Sequence, residues 1–202
     1  EIGISTADFF KRTSLRHWFN PNLTYQWFIV PSLAGTLVMF ATLMVTSLSI
    51  ARERELGTFD QLLVSPLVPK EILLGKIIPG VIVGVIEGLF MWFVGVFVFE
   101  VPFTGSFFLF FFSLCIFILS TSGIGLFISS LSTTQQQAML GTFVFMVPSV
   151  LLSGFATPVE NIPSWLSWVS YGIPLKYMLV ISKGIFLKNM PFTSVWNNVW
   201  PM

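Results

Sequence analysis

Long apolar runs separated by short polar intervals dominate the chain. Four runs, Trp27–Ile50, Ile77–Phe99, Ser106–Ser130 and Gln137–Gly154, are long enough to cross a bilayer, which takes roughly 20 residues of helix. The intervals 100–105 and 131–136 are short, so the spans should alternate as hairpins. A longer polar connector, 51–76, separates the first two. Beyond the fourth run the pattern breaks, because Pro158, Pro163 and Pro174 stand with Gly172 and Gly184 between Phe155 and Lys188. Backbone broken in this way survives at membrane depth only when buried in protein or lining a cavity. Pro163 suits a helix N-terminus, and Trp165 and Trp168 suit an interface. Two readings of 155–188 are open, a re-entrant element or a loop resting on the bilayer surface. Residues 1–26 are polar and aromatic, with Lys11, Arg12 and Arg16, and read as the end of an extramembrane region. The chain opens on Glu1 and stops at Trp200-Pro201-Met202, where another apolar span could begin. It is therefore expected to be a piece of a longer protein, with 189–202 leading into a final span.

The connector carries its own helical pattern. Leu56, Phe59 and Leu63 fall on one face at i, i+3 and i+7. Arg52, Arg54, Asp60 and Gln61 surround that face, and Arg52 can pair with Glu55 one turn on. Pro66 disfavours helix at Ser65, so the helix should end there. Pro69, followed by Lys70 and Glu71, fits a new helix start. The prediction is a short amphipathic helix, a sharp elbow, then the second span. Such an element is either an interfacial loop with snorkelling charges or a surface that docks a soluble partner.

Composition narrows the class. Charged residues make up only 9% of the chain against 54% apolar, with 23 Phe and 7 Trp; soluble domains average about 25% charged. Mean hydropathy is +0.85. A soluble chain with this balance could not cover its surface with polar groups. The net charge of +1 gives nucleic-acid binding no support. Cys115, the single cysteine, excludes an internal disulfide and a cysteine metal cluster. The N-terminal region does not have the form of a signal peptide. Basic residues fall on both sides of the spans: Arg52, Arg54, Lys70 and Lys76 in the connector, and Lys176, Lys183 and Lys188 with the N-terminal group opposite. Charge alone therefore does not set orientation. Catalysis finds no footing. His17 stands alone, and no GxxxxGK[ST] phosphate loop occurs, so any ATP hydrolysis must come from another polypeptide.

Within the spans a few positions stand out. At about 100° per residue, Gly80, Gly84, Glu87, Gly88 and Gly95 share one arc of the second span. Small residues let helices approach closely, so this face should meet protein or a water-filled route. Glu87 lies near mid-membrane, where an acid is a functional candidate by default. The alternative is a packing acid, protonated or hydrogen-bonded to Ser or Thr on a neighbour. Thr121, Gly125 and Ser129 make a second close-packing stripe, and Pro148 should kink the fourth span. Gln135, Gln136 and Gln137 could touch a partner or cap a helix.

Three stretches resemble one family in order. Arg52–Leu67, RERELGTFDQLLVSPL, resembles the cytoplasmic connector of ABC-2 type permeases, the membrane subunits of a class of ATP-driven exporters. Asn20-Pro21 followed by Phe28-Ile29-Val30-Pro31 resembles the entry to that family's second membrane helix. Leu152-Ser153-Gly154-Phe155 with Pro158, Pro163 and Trp165 resembles its extracellular re-entrant region. The resemblance implies an all-α polytopic bundle of the type V exporter-like class, with extracellular re-entrant helices. Of six helices this chain would hold the second through the fifth, with 1–26 ending an extracytoplasmic region. It further implies that Arg52, Glu53, Glu55, Gly57, Thr58, Gln61 and Ser65 contact a cytoplasmic ABC ATPase. A second permease subunit, homo- or heteromeric, would complete the pathway in a bacterial inner membrane. ATP and Mg would bind on the ATPases and none on this chain. Export of hydrophobic drugs or lipid-like compounds is the implied activity. A non-transporting scaffold or sensor of the same fold is the runner-up, and a membrane-embedded enzyme is opposed by the missing catalytic constellation.

Overall fold

The computed structural model describes residues 25–155 and 168–202, and among these every regular element is helical. In chain order the helices are α1 (Tyr25–Glu55), α2 (Phe59–Leu63), α3 (Pro69–Phe97), α4 (Phe107–Leu131), α5 (Gln135–Leu152), α6 (Pro174–Lys188) and α7 (Phe192–Val199). By length and composition α1, α3 and α4 can each cross a membrane. The 18-residue α5 is shorter and opens on three glutamines. At 1.5 Å per residue it is about 27 Å long, close to the thickness of a bilayer's apolar core.

Helix α1 is the centre of the bundle and packs on α3, α4, α5 and α6. Its buried positions include Val38, Met39, Thr42, Leu43, Thr46 and Ser47. A central helix in a membrane cannot rely on the hydrophobic effect to hold its neighbours, so close approach and hydroxyl bonding do that work. The Thr46 hydroxyl donates to Thr42 O at 2.7 Å, which removes its polarity from the interface. Gly125 of α4 lies against that threonine; a Cβ there would stand 2.9 Å from Thr46 Cβ and 3.3 Å from Leu43 O. Gly84 of α3 lies against Thr42 and Ile118 in the same way. Both glycine stripes expected from the sequence are thus real packing surfaces. Gly80, Gly84, Gly88 and Gly95 are the buried residues of α3, while Thr121, Gly125 and Ser129 are buried in α4. The Ser129 hydroxyl also accepts from the Ile50 and Ala51 N–H groups at 2.9 and 3.0 Å.

Two ends of the bundle are distinguishable. At one, Thr104 in the α3–α4 turn donates its N–H and hydroxyl to Phe186 O, both at 3.1 Å, and clasps the C-terminus of α6. Edge-to-face contacts join Trp92 to Phe103 and Phe103 to Phe186 there. The opposite end holds the α1–α3 connector and the α4–α5 turn.

The expected boundaries shift at that second end. Helix α1 runs to Glu55 rather than Ile50, and α3 begins at the expected Pro69, eight residues before its apolar run opens at Ile77. Their 31 and 29 residues correspond to about 46 and 44 Å, well beyond a core of about 30 Å. Helix α5 continues through Pro148, so that proline does not end it.

Candidate functional site

The connector is built by a hard helix stop. Gly57 adopts φ +70, a left-handed conformation that costs residues with a Cβ about 1–2 kcal/mol. Around it the Gly57 N–H donates to Arg54 O at 3.1 Å and the Thr58 N–H to Glu53 O at 2.9 Å. This 5→2 and 6→1 pair is the Schellman closure that satisfies the last carbonyls of a helix. It corrects the expected single amphipathic helix. Leu56 belongs to the end of α1 and is exposed, whereas Phe59 opens the separate α2. The short helix also ends at Leu63, two residues before Ser65. Helix α3 then starts at Pro69 as expected, and the Val68 N–H donates to the Glu71 carboxylate at 3.0 Å.

The connector's charges are largely spent inside the bundle. Arg54 Nη1 donates to Ser130 O at 2.6 Å and Ser132 O at 3.2 Å, tying the end of α1 to the α4–α5 turn. Its guanidinium also lies over the Phe59 ring, 5.1 Å from the centroid, and so holds α2. Glu55 accepts from the Gln135 N–H at 2.9 Å. A carboxylate at that position complements the positive N-terminal end of α5. Glu53 pairs with Lys76 on α3. The expected Arg52–Glu55 pair does not form, because Glu55 is drawn to α5 and Arg52 turns to the α1–α3 side. Sequence reasoning missed Arg54, Lys76 and Gln135, whose partners lie 23 to 80 residues away.

Of the seven residues assigned to the connector surface, five are exposed: Arg52, Glu55, Gly57, Thr58 and Gln61. Glu53 and Glu55 act as internal ties, and Ser65 is half-buried. Asp60 and Lys70 are exposed beside them. Of the three glutamines, Gln137 takes part in a cap built on Thr134. Thr134 Oγ1 accepts from the Gln137 N–H at 3.3 Å, and Gln137 Oε1 accepts from the Thr133 N–H at 3.0 Å.

Glu87 sits apart from this end. Its neighbours Gly84 and Gly88 are buried, but Glu87 is at the edge of the packed face and half-buried. One carboxyl oxygen is buried with no hydrogen-bond partner. The expected Ser or Thr partner is not supplied within the described residues. Lys183 of α6 places Nζ over the Phe28 ring, 3.6 Å from its centroid. Burial pushes that ammonium down to about 8. Gly154 closes α5 with φ +88. Pro158, Pro163 and Trp165, and with them the core of the expected re-entrant region, lie outside the described residues.

Comparison with known proteins identifies the family. The family model of the ABC-2 type transporter matches residues 3–187. The chain is 48% identical over 188 residues to the probable multidrug ABC transporter permease YbhR of Escherichia coli K12, covering 93% of this chain and 51% of that protein. It is 36% identical over 184 residues to the probable multidrug ABC transporter permease YbhS of the same strain, covering 90% and 49%. The inner membrane transport permease YhhJ of that strain is 32% identical over 180 residues, covering 88% and 48%. The chain thus spans about half the length of the curated relatives it matches. No solved structure matches. With three helices able to cross a membrane and a family match over nearly its whole length, this chain is part of a multi-pass membrane protein and belongs to the ABC-2 type transporter family.

Proposed function

We infer that the protein is the membrane-spanning permease subunit of an ATP-driven exporter in a bacterial inner membrane, acting on hydrophobic drugs or lipid-like compounds. The family match over residues 3–187 carries this reading. The names of its relatives, multidrug and inner-membrane permeases, support the substrate class and location. In this reading the subunit is not itself catalytic. ATP and Mg bind to cytoplasmic ABC ATPases, and a second permease subunit completes the pathway.

The connector supports a specific coupling route. Exposed Gly57, Thr58 and Gln61 would receive the ATPase. Force on α2 would pass through Arg54 to the α4–α5 turn, through Glu55 to the start of α5, and through Glu53 to α3. Rigid helices so tied move together. Coexpression of the full-length permease with its ATPase tests the reading. The two should copurify, and hydrophobic compounds should stimulate ATP hydrolysis. A permease that retains no ATPase and changes no drug susceptibility when deleted would contradict it.

A further inference from the structure

A cleft of about 300 Å³ opens between α1 and α3, just where both helices leave their apolar stretches. Val45, Leu48 and Pro79 line its inner part, and Ser49, Arg52, Gly75 and Lys76 line its outer part. The volume is about ten times a water molecule's share of the liquid. Gly75 and Lys76 also border a neighbouring recess of about 230 Å³, with Glu71 and Ile72 on its wall.

The polar groups of this cleft are under-used. Most hydroxyls of the bundle donate to a carbonyl one turn back, as Thr36, Thr46 and Ser113 do. Ser49 Oγ does not; like the hydroxyls of Thr42, Ser122 and Ser182 it is buried without a partner, behind the wall of the cleft. Lys76 has three N–H donors and is paired with Glu53 through one oxygen. Arg52 is exposed on the wall, and its planar guanidinium suits the paired oxygens of a phosphate. Glu53, whose second oxygen is buried without a partner, offsets Lys76 and leaves Arg52 as the uncompensated charge of the wall. A small polar anion would leave the Val45–Leu48–Pro79 end unfilled, whereas an amphiphile fills both ends.

We propose that this cleft binds a phosphate-bearing anion at the membrane surface, with the phosphate against Arg52 and Lys76 and an apolar chain along Val45, Leu48 and Pro79. The shared chemistry is the phosphate. An anionic phospholipid and a soluble phosphate are its two sources, and the apolar end favours the lipid.

Thermal unfolding of the full-length permease in detergent tests the site, with phosphatidylglycerol, phosphatidylcholine or inorganic phosphate added. Phosphatidylglycerol should raise Tm by about 3 °C at tenfold excess over its Kd, and phosphatidylcholine should not. Arg52→Gln should remove most of that shift. Gly75→Leu should do the same by filling the cleft. A Cβ at Gly75 meets nothing within 4 Å, so that variant should fold even if Arg52→Gln does not. An equal shift from inorganic phosphate, lost in the same variants, supports the anion site and assigns it a soluble occupant. A shift unchanged in Gly75→Leu overturns the proposal. So does the absence of a shift with either anion, the result expected if the rest of the protein fills the cleft.

Discussion

Glu87 and the glycines around it show how a single residue reports on its helix. Burying a polar oxygen without a partner costs about 1–3 kcal/mol, and one oxygen of Glu87 is in that state. An acid kept under such a penalty is expected to serve the pathway rather than the packing. Glu87→Leu should therefore leave the thermal stability of the full-length permease equal or higher, and lower drug efflux with the ATPase still bound. A lower Tm with normal efflux would make it a packing residue. The adjacent glycines predict the reverse pattern. Gly84→Leu would drive a side chain into Thr42 Oγ1, 2.5 Å from the Cβ position, and Ile118. Overpacking of this kind costs about 1–3 kcal/mol, so folded yield and Tm should fall together. This packing was legible in the sequence because a four-residue small-residue spacing has few other uses in an apolar helix. The threonines that meet it, Thr42 and Thr46, were not, because nothing local marks which face of α1 is central.

At the scale of elements, the connector is where reading and structure diverge most. By its charges, which interrupt the apolar pattern, ARERE reads as the start of a separate amphipathic connector helix. Those residues are good helix formers, so α1 continues until Gly57 stops it. The stop itself was written in the sequence as a glycine after a charged turn; the partners of Arg54 and Glu55 were not, because pairings across 76 and 80 residues depend on how the helices dock. Gly57→Ala should cost about 1 kcal/mol, since the space around Gly57 is open and only its left-handed φ resists a Cβ. Arg54→Gln should uncouple: the ATPase still copurifies, while drug stimulation of ATP hydrolysis falls severalfold. Loss of copurification in that variant would place Arg54 at the docking surface instead. Helix α6 adds a pH signature. Burial lowers the Lys183 pKa to about 8 from 10.5, so between those values the unfolded chain holds more protons and stability rises with pH. Below 8 both states are protonated and the penalty is fully present. Lys183→Met should flatten the pH dependence of Tm across that window; an unchanged slope would show that the Phe28 ring face offsets the desolvation.

At the scale of the whole molecule, the bundle joins two differently built ends through one central helix. One end is clasped by Thr104 and aromatic edges against α6; the other is tied by Arg54, Glu55 and the Glu53–Lys76 pair. At the tied end α1 continues past its apolar run to Glu55 and α3 starts at Pro69 before its own, which makes that end the natural receiver of force from outside the membrane. The all-α class and the succession of spans could be read from hydropathy, since apolar runs of that length have few alternative fates. The docking of α6 on α1 and α4 could not, because its short, proline-led sequence fixes no partner. The most direct test is ATP hydrolysis by the full-length permease and its ATPase in a lipid bilayer, with and without a hydrophobic drug, for the wild type and for Asp60→Lys combined with Gln61→Lys. Both substituted residues are exposed and neither is used to hold the bundle. The wild type should copurify with its ATPase and show drug-stimulated hydrolysis; the double variant should fold normally, insert, and lose both by about tenfold, the equivalent of about 1.4 kcal/mol of docking energy. A correctly folded double variant that binds the ATPase and responds to drug as the wild type does would contradict coupling through this connector.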